Sequence, residues 1–395
     1  MQLAISNRAK NIKPSATLSI SALAKQLMRE GKDLIDLSIG EPDFDTPEFI
    51  KEAAKKALHD GMTKYTPTDG MPELKNAIIH KFERDNNLTF SFKEVMATTG
   101  CKQALCNAIL ALINPGDEVI IPSPYWVSYP DMVMLAEGKP VYIPTSIKNH
   151  FKITPEQLEK AITPKTKVLI LNSPSNPTGM VYSKDELSLL AAVLLKHPNI
   201  TIISDDIYEH IRWTGQKYAN ILNCCSELKS RVIICHGVSK TYAMTGWRIG
   251  YCAGPEEVIS VMTTIQSQYT SNPNSIAQYA AAIALTGPQG CVNHMRDKYH
   301  ARHEIFVRQL NQISGFHCEN AQGAFYVFAD ISALLQKKMF QSDVDLTEYL
   351  LEHSGVVVIP GSAFGNHKCI RFSYATDEKL LQDAASRIQK AIEKK

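Results

Sequence analysis

The apolar positions of this chain fall into two kinds of pattern over residues 46–285. Short runs rich in valine and isoleucine, nearly continuous in their apolar character, alternate with longer stretches of helical character. These runs are 117–121, 167–171, 200–204 and 231–235. Such runs are typical of parallel strands covered on both faces, and the segments between them are long enough for crossover helices. We therefore predict an α/β domain built on a mostly parallel sheet.

The two ends of the chain predict a smaller α+β unit. The N-terminal part contains a polar arm, a helix at 21–30 and a strand at 34–38. A helix over 46–61, with Thr46 as N-cap and Pro47 as first residue, then opens the large domain. After residue 285, a charged helix at 291–313 precedes strands and a closing amphipathic helix. The strands are expected at 324–328, 356–359 and 369–373, and the helix from Thr376.

These patterns predict three parts. Residues 1–45 form an arm and part of a small domain, residues 46–285 form the large domain, and residues 286–395 form the rest of the small domain.

Composition narrows the class of protein. The formal net charge is +2, which gives no reason to expect nucleic acid or a membrane surface as a partner. No apolar stretch is long enough for a bilayer span, and the N-terminus lacks the apolar core of a signal peptide. The nine cysteines are an odd number without C-x-x-C spacing. We expect reduced thiols and a cytoplasmic location.

No metal site is expected. His300 and His303 have H-x-x-H spacing, but they lie in a charged helical stretch without cysteine partners. A solvated helix face is the better interpretation.

Polar or aromatic residues follow each of the four strand runs. Trp126 follows the first, Asn176 the second, Asp205 with Tyr208 the third, and Lys240 the fourth. Taken singly, each has a structural explanation: a core tryptophan, a turn, a helix cap or a solvated loop lysine. Ligands of open α/β sheets bind beyond the carboxyl ends of the strands, so together these residues predict one crevice.

Two further segments supply a phosphate site. Gly100 leads into a helix that begins at Cys101 and Lys102, and a helix N-terminus offers free N–H groups to an anion. Arg248 follows Lys240 by eight residues. Neither a Walker loop nor a G-x-G-x-x-G motif occurs, which disfavours a nucleotide.

The chemistry of this set points to one cofactor. Lysine is the residue type that forms a Schiff base with an aldehyde, Asp205 would pair with a ring nitrogen, and Trp126 would stack on a flat ring. Pyridoxal 5'-phosphate combines these groups with one phosphate and a ring hydroxyl.

With these residues, the chain resembles the class I aminotransferases of fold type I, and within them the bacterial aspartate aminotransferases. The matching motifs run almost from end to end. They are Gly40-Glu41-Pro42-Asp43-Phe44, Tyr65-Thr66-Pro67-Thr68-Asp69-Gly70, Pro124-Tyr125-Trp126, Asn176-Pro177-Thr178-Gly179, Asp205 with Tyr208, Ser239-Lys240, Thr245-Gly246-Trp247-Arg248-Ile249-Gly250, Ser271-Asn272-Pro273 and Arg371-Phe372-Ser373. One departure is Gly237, where many relatives carry a phosphate-binding serine.

The resemblance implies a fold with a seven-stranded sheet and a homodimer with sites at the subunit interface. It also implies roles for individual residues. Lys240, Asp205 and Tyr208 would be catalytic, and the cofactor would be bound by Gly100, Cys101, Lys102, Trp126, Asn176, Asp205, Tyr208, Ser239, Lys240, Arg248 and, from the partner subunit, Tyr65.

For the substrate, the resemblance implies that Arg371 grips the α-carboxylate and that Gly40, Trp126 and Asn176 lie against the amino acid. Lys102 would hold the distal carboxylate of aspartate, and Lys13 matches a position that helps some relatives accept prephenate.

The expected activity is transfer of the amino group of L-aspartate to 2-oxoglutarate. Three alternatives on the same scaffold stay open: an aminotransferase for prephenate and glutamate, one for aromatic, alanine or kynurenine-type substrates, and a β-lyase. A DNA-binding regulator is disfavoured, because no helix-turn-helix segment fits and the charge is wrong.

Overall fold

The computed structural model describes residues 4–12, 14 and 16–395. Its strands, in chain order, are β1 (Ile35–Asp36), β2 (Val95–Thr98), β3 (Glu118–Ser123), β4 (Lys139–Pro144), β5 (Thr166–Asn172), β6 (Thr201–Asp205), β7 (Val232–Gly237), β8 (Gly250–Ala253), β9 (Tyr326–Asp330), β10 (Val356–Val357), β11 (Ile359–Pro360) and β12 (Cys369–Ser373).

The helices alternate with these strands through the middle of the chain. They are α1 (Asn7–Lys10), α2 (Ala16–Arg29), α3 (Glu48–His59), α4 (Pro72–Lys81), α5 (Cys101–Leu112), α6 (Ser128–Leu135), α7 (Pro155–Ala161), α8 (Lys184–Leu195), α9 (Ile221–Cys224), α10 (Val238–Thr241), α11 (Glu256–Tyr269), α12 (Ser275–Thr286), α13 (Gly290–Leu310), α14 (Ser332–Gln336), α15 (Asp343–Ser354) and α16 (Glu378–Lys394). Phe82–Asn86 forms a π-helical turn directly after α4.

The predicted seven-stranded, mostly parallel sheet is confirmed. Its strand order is β2-β8-β7-β6-β5-β3-β4, and β8 runs antiparallel to both of its neighbours. Alternate residues of one strand enter different cores: Val119 and Ile121 join the cluster that contains α5, and Ile120 joins the one that contains α8. Burial of both faces explains why these strands are continuously apolar in sequence.

The terminal parts of the chain form two smaller sheets. The first is the antiparallel sheet β11-β12-β9, and the second is the parallel pair of β1 and β10. The single strand predicted at 356–359 is therefore wrong in one respect: it is divided into β10 and β11. Val358, which is buried, lies between two segments that pair with different strands, and an apolar run alone cannot show this change of partner. The domain boundaries at 45 and 285 stay a prediction.

Helix ends differ from the predicted ones by a few residues. Pro47 occupies the N-cap position of α3 and Thr46 lies outside the helix, where its hydroxyl donates to the Ala243 carbonyl at 2.7 Å. That distant contact cannot be inferred from the local sequence. The closing helix α16 begins after Asp377, whose side chain accepts a hydrogen bond from the Lys379 amide.

The prediction of a solvated face for both histidines of α13 is wrong for His303. Its side chain is buried, with its ring 5.4 Å from Trp213 and 5.7 Å from Tyr374 between centroids. His300 is half-buried and stacks on Trp213. In the described part of the chain, no helix is both long and apolar enough to cross a membrane.

Candidate active site

A cavity of about 340 Å³ lies beyond the carboxyl ends of β3, β5, β6 and β7. The four strand-end groups predicted from the sequence all line it, and so do residues from other parts of the chain. The predicted site residues in its lining are Gly40, Cys101, Lys102, Trp126, Asn176, Asp205, Tyr208, Ser239, Lys240, Arg248 and Arg371. The predicted convergence on one crevice is therefore observed.

Lys240 lies in α10, immediately after β7. Its ammonium donates to the Gly40 carbonyl at 2.5 Å. Burial lowers the pKa of Lys240 to about 8, and repulsion by Arg248 and Arg371 acts in the same direction against the attraction of Glu41. A lysine with this pKa has a substantial neutral fraction near pH 8, as a nucleophile or a base requires.

Asp205 ends β6 and is buried. Its Oδ2 accepts a hydrogen bond from the Tyr129 hydroxyl at 2.6 Å, and its Oδ1 lies 3.8 Å from the Cys101 sulphur. Burial raises the pKa of Asp205 to about 6, although these hydrogen bonds favour the charged form. A pKa of about 6 leaves the buried carboxylate mostly ionised at neutral pH.

Trp126 and Lys102 form one wall of the cavity. The Lys102 ammonium lies 4.9 Å from the centre of the Trp126 ring, within the range of a cation–π contact. Desolvation lowers the pKa of Lys102, and repulsion by Arg248 adds to this. Attraction by Asp131 opposes this lowering, and the Lys102 side chain lines the cavity, where its charge can face an anionic ligand.

The start of α5 and Arg248 form an anion cradle. Gly100 has a φ of 77°, and a Cβ at this position would lie 2.4 Å from Nη2 of Arg248. The backbone conformation therefore requires glycine, and the guanidinium packs directly against it. Nη1 of Arg248 donates to the Thr245 carbonyl at 2.9 Å. Free N–H groups of a helix N-terminus and a guanidinium together suit a phosphate.

Arg371, on β12, is buried and incompletely paired. Nη1 donates to Asn176 Oδ1 at 3.0 Å and Nη2 donates to the Ser38 carbonyl at 2.6 Å. Nε has no hydrogen-bond partner in the described part of the chain. A buried guanidinium without a carboxylate partner is costly unless a ligand supplies one. This geometry suits a substrate carboxylate.

Sequence reasoning missed Tyr326 of β9. Its hydroxyl lies 2.8 Å from that of Tyr208, and its ring centroid is 4.5 Å from the Arg371 guanidinium. A Cβ on Gly40 would lie 2.6 Å from this hydroxyl, which explains the glycine of the Gly40 segment. Local sequence carries no signal for Tyr326, because its site contacts are made by residues distant along the chain.

Two of the predicted residues that the structure describes, Gly100 and Tyr65, do not line the cavity. Gly100 lies beneath Arg248 and contributes through the turn into α5. Tyr65 is 91% exposed, away from the cavity of its own subunit. Lys13 lies outside the described residues.

A buried ionic cluster that the sequence analysis did not single out lies behind the site. Glu209, His210 and His236 have potential metal-ligand atoms within 4.8 Å of one another. The Lys81 ammonium lies 2.5 Å from the Glu209 carboxylate and supplies a cation within the protein itself. The cluster therefore serves as an ion-pair network in this structure.

The fold and the cavity define an α/β enzyme that can hold a phosphorylated carbonyl cofactor against a lysine. Comparison with known proteins supports this class. The family model "Aminotransferase class I and II" matches residues 32–388. The chain belongs to this aminotransferase family.

Similar proteins match along nearly the whole chain. The "Aspartate/prephenate aminotransferase" of Nitrosomonas europaea is 53% identical, over 97% of this chain and 98% of that protein. The "Aspartate aminotransferase" of Bacillus subtilis is 46% identical, over 99% of both chains. The crystal structure of the aspartate aminotransferase from Rhizobium meliloti has a TM-score of 0.95 at 45% identity, over 99% of both chains.

Proposed function

We propose that this chain is a pyridoxal 5'-phosphate-dependent aspartate aminotransferase that transfers the amino group of L-aspartate to 2-oxoglutarate, giving oxaloacetate and L-glutamate. The observation that carries this proposal is the convergence of Lys240, Asp205 and Arg248 on one cavity. Family membership and the names of the relatives support the reaction class and the substrate.

The residues present fit this cofactor on three grounds. The cradle of Gly100 and Arg248 suits its phosphate, the ionised Asp205 suits its protonated ring nitrogen, and Lys240 suits its aldehyde. When bound, pyridoxal 5'-phosphate supplies an electron-withdrawing ring that stabilises negative charge at the substrate Cα.

Lys240 then has two functions. It would hold the cofactor through its aldehyde between turnovers, and as a neutral amine it would take the proton from the substrate Cα. Its pKa of about 8 makes the second function accessible near neutral pH. Trp126 would stack on the cofactor ring, and Tyr208 with Asn176 would bind the ring hydroxyl, since all three line the cavity.

Two cations orient an acidic substrate. Arg371 binds the α-carboxylate, because its buried Nε is without a partner in the described residues. Lys102, which lines the same cavity and contacts Trp126, binds the distal carboxylate. Two cations in one cavity favour dicarboxylic amino acids over alanine.

Prephenate is a second candidate acceptor. The Nitrosomonas europaea relative is named as an aspartate/prephenate aminotransferase. Lys13, which the resemblance connects with this activity, lies outside the described residues. Aromatic, alanine and kynurenine-type substrates and β-elimination have less support, because Lys102 gives the cavity a second cation beside Arg371.

We further propose a cytoplasmic homodimer with sites at the subunit interface, in which Tyr65 reaches the partner's phosphate. The exposed Tyr65 and Tyr269 support an interface on this side. We also retain the division into a large domain over 46–285 and a small domain from both ends.

A substrate screen tests the proposed function. The purified holoenzyme is incubated with single amino donors and either 2-oxoglutarate or prephenate, and the 2-oxo acid formed is quantified. We expect aspartate to give the highest kcat/KM among the donors. A clear preference for alanine, an aromatic donor or kynurenine would contradict the proposal, as would release of ammonia and pyruvate.

A further inference from the structure

The two carboxylate oxygens of Asp205 have unequal hydrogen-bond partners. Oδ2 accepts from the Tyr129 hydroxyl at 2.6 Å, which is short for an O–H···O bond and typical of an ionised acceptor. Oδ1 accepts from the Ile207 amide at 3.3 Å and lies 3.8 Å from the Cys101 thiol, a weak donor. Oδ1 is therefore the oxygen with capacity left for another strong donor.

Tyr129 is held firmly in place. It lies in α6, directly after the segment that carries Trp126, and only 2% of it is exposed. Its ring meets the Trp126 ring edge to face, with centroids 5.4 Å apart and an interplanar angle of 86°. The Tyr129 side chain thus contacts both the Asp205 carboxylate and the Trp126 indole.

We propose that Tyr129, assisted by Cys101, keeps the shared proton on the cofactor's ring nitrogen by donating hydrogen bonds to the Asp205 carboxylate. This inference rests on the proposed function, since it concerns the proposed partner of Asp205. Tyr129 is a positioning residue, because it acts on the ring nitrogen through Asp205.

The physical basis is a competition for one proton. The proton lies either on the ring nitrogen, opposite a carboxylate, or on Asp205, opposite a neutral ring. Burial favours the neutral alternative, because it penalises both charges. A hydrogen bond donated to the carboxylate favours the state with the proton on the ring nitrogen, in which both groups are charged. That state matters for the reaction, because a neutral ring withdraws electrons poorly. Loss of the Tyr129 hydroxyl therefore moves the proton towards Asp205.

The test uses the reconstituted holoenzyme with Tyr129→Phe, which removes only the hydroxyl. The control is Tyr182→Phe, which removes another buried tyrosine hydroxyl, one that accepts from the Ile153 amide at 2.9 Å. The NMR chemical shift of an isotopically labelled ring nitrogen reports its protonation directly. Steady-state kinetics with aspartate provide a second readout.

We expect the ring-nitrogen signal of Tyr129→Phe to move towards the unprotonated position and kcat to fall roughly ten- to a hundredfold, with KM changed only a few-fold. Tyr182→Phe should match the wild type in both readouts. An unchanged nitrogen signal in Tyr129→Phe would overturn the inference, even if activity were lost.

The variant Cys101→Ala provides an independent test if Tyr129→Phe does not fold. It removes the weaker donor, so we expect a smaller shift of the nitrogen signal in the same direction. No shift, or one in the opposite direction, would overturn the shared role of the two donors. If the wild-type protein bound no pyridoxal phosphate, the proposed function itself would be contradicted. This result is distinguishable from an unchanged nitrogen signal, which contradicts only the role of Tyr129.

Discussion

At the scale of single residues, Asp205 and Asp206 show how strongly environment separates two neighbouring carboxylates. Both are buried, but only Asp205 lines the cavity. Asp206 accepts from Ser204 Oγ at 2.6 Å and from Asn220 Nδ2 at 2.8 Å, away from the cavity. Burial and the nearby Glu209 raise the pKa of Asp206 to about 7, so it is partly protonated at neutral pH.

Asp205→Asn should therefore reduce kcat by roughly a hundredfold or more, because it removes the buried charge opposite the proposed ring nitrogen. Asp206→Asn is the matched control, and it should retain most of the wild-type rate because an amide resembles the protonated acid. Steady-state kinetics of both variants, saturated with cofactor, check this. The opposite ranking would assign the catalytic role to Asp206.

A second prediction for a single residue concerns Lys102 and the preference for aspartate over alanine. A hydrogen bond to a charged group contributes about 1.5–3 kcal/mol. We expect Lys102→Ala to lower kcat/KM for aspartate by roughly ten- to a hundredfold while leaving the value for alanine nearly unchanged. Measurement of both substrates distinguishes the two possible roles. An equal loss for both would show that Lys102 serves the cofactor rather than the distal carboxylate.

At the scale of elements, the sequence predicts the strands well but predicts poorly the contacts between segments that are distant along the chain. The apolar runs that become β3, β5, β6 and β7 are visible because both faces of this sheet are buried. The residues that follow each strand, such as Lys240, could be predicted to converge because parallel strands end at one edge.

Other residues could not be found from local pattern. Tyr129 follows the aromatic turn after β3, but only the folded chain brings its hydroxyl to Asp205. Tyr326 and Glu209 also depend on contacts between distant segments. His303 lies in a helix with a charged sequence, and its burial comes from packing against Trp213.

The buried ion pair between α4 and the loop after β6 allows a prediction at this scale. Lys81 and Glu209 are both almost fully buried, and Asn86 also donates to Glu209, at 3.0 Å. Lys81→Met leaves the buried Glu209 carboxylate with only histidine and amide partners, and it should lower the free energy of unfolding by about 3 kcal/mol. Urea denaturation of the variant measures this loss.

Two further variants complete that test. The double variant Lys81→Met with Glu209→Gln should recover part of the loss, because no unpaired charge remains. Lys55→Met, which breaks an exposed pair with Glu52, should leave the unfolding midpoint nearly unchanged. A Lys81→Met protein as stable as the wild type would contradict the structural importance of the buried pair.

At the scale of the whole molecule, the proposed dimer makes each site depend on two subunits. Tyr65 is 91% exposed and does not line the cavity of its own chain. The cradle of Gly100 and Arg248 is open at the surface, where Arg248 is exposed. A hydroxyl from a second subunit would complete the phosphate site.

Mixing two defective proteins tests this dependence. Tyr65→Phe should weaken cofactor binding roughly tenfold or more, and Lys240→Ala should be inactive. Hybrids formed by unfolding and refolding the two together contain one site with both native residues. At limiting cofactor, we expect their activity to exceed the sum of the separate parents. Activity equal to the parents' average would contradict a shared site.

The central claim is that Lys240 binds the cofactor aldehyde, and one measurement tests it most directly. The holoenzyme is reduced with borohydride, digested and analysed by peptide mass mapping. We expect a single pyridoxyl adduct, on Lys240, and no adduct in Lys240→Ala, which should still bind the cofactor through Arg248 and the start of α5. An adduct on another lysine, with Lys102 the nearest competitor in the cavity, or no adduct at all, would contradict the claim.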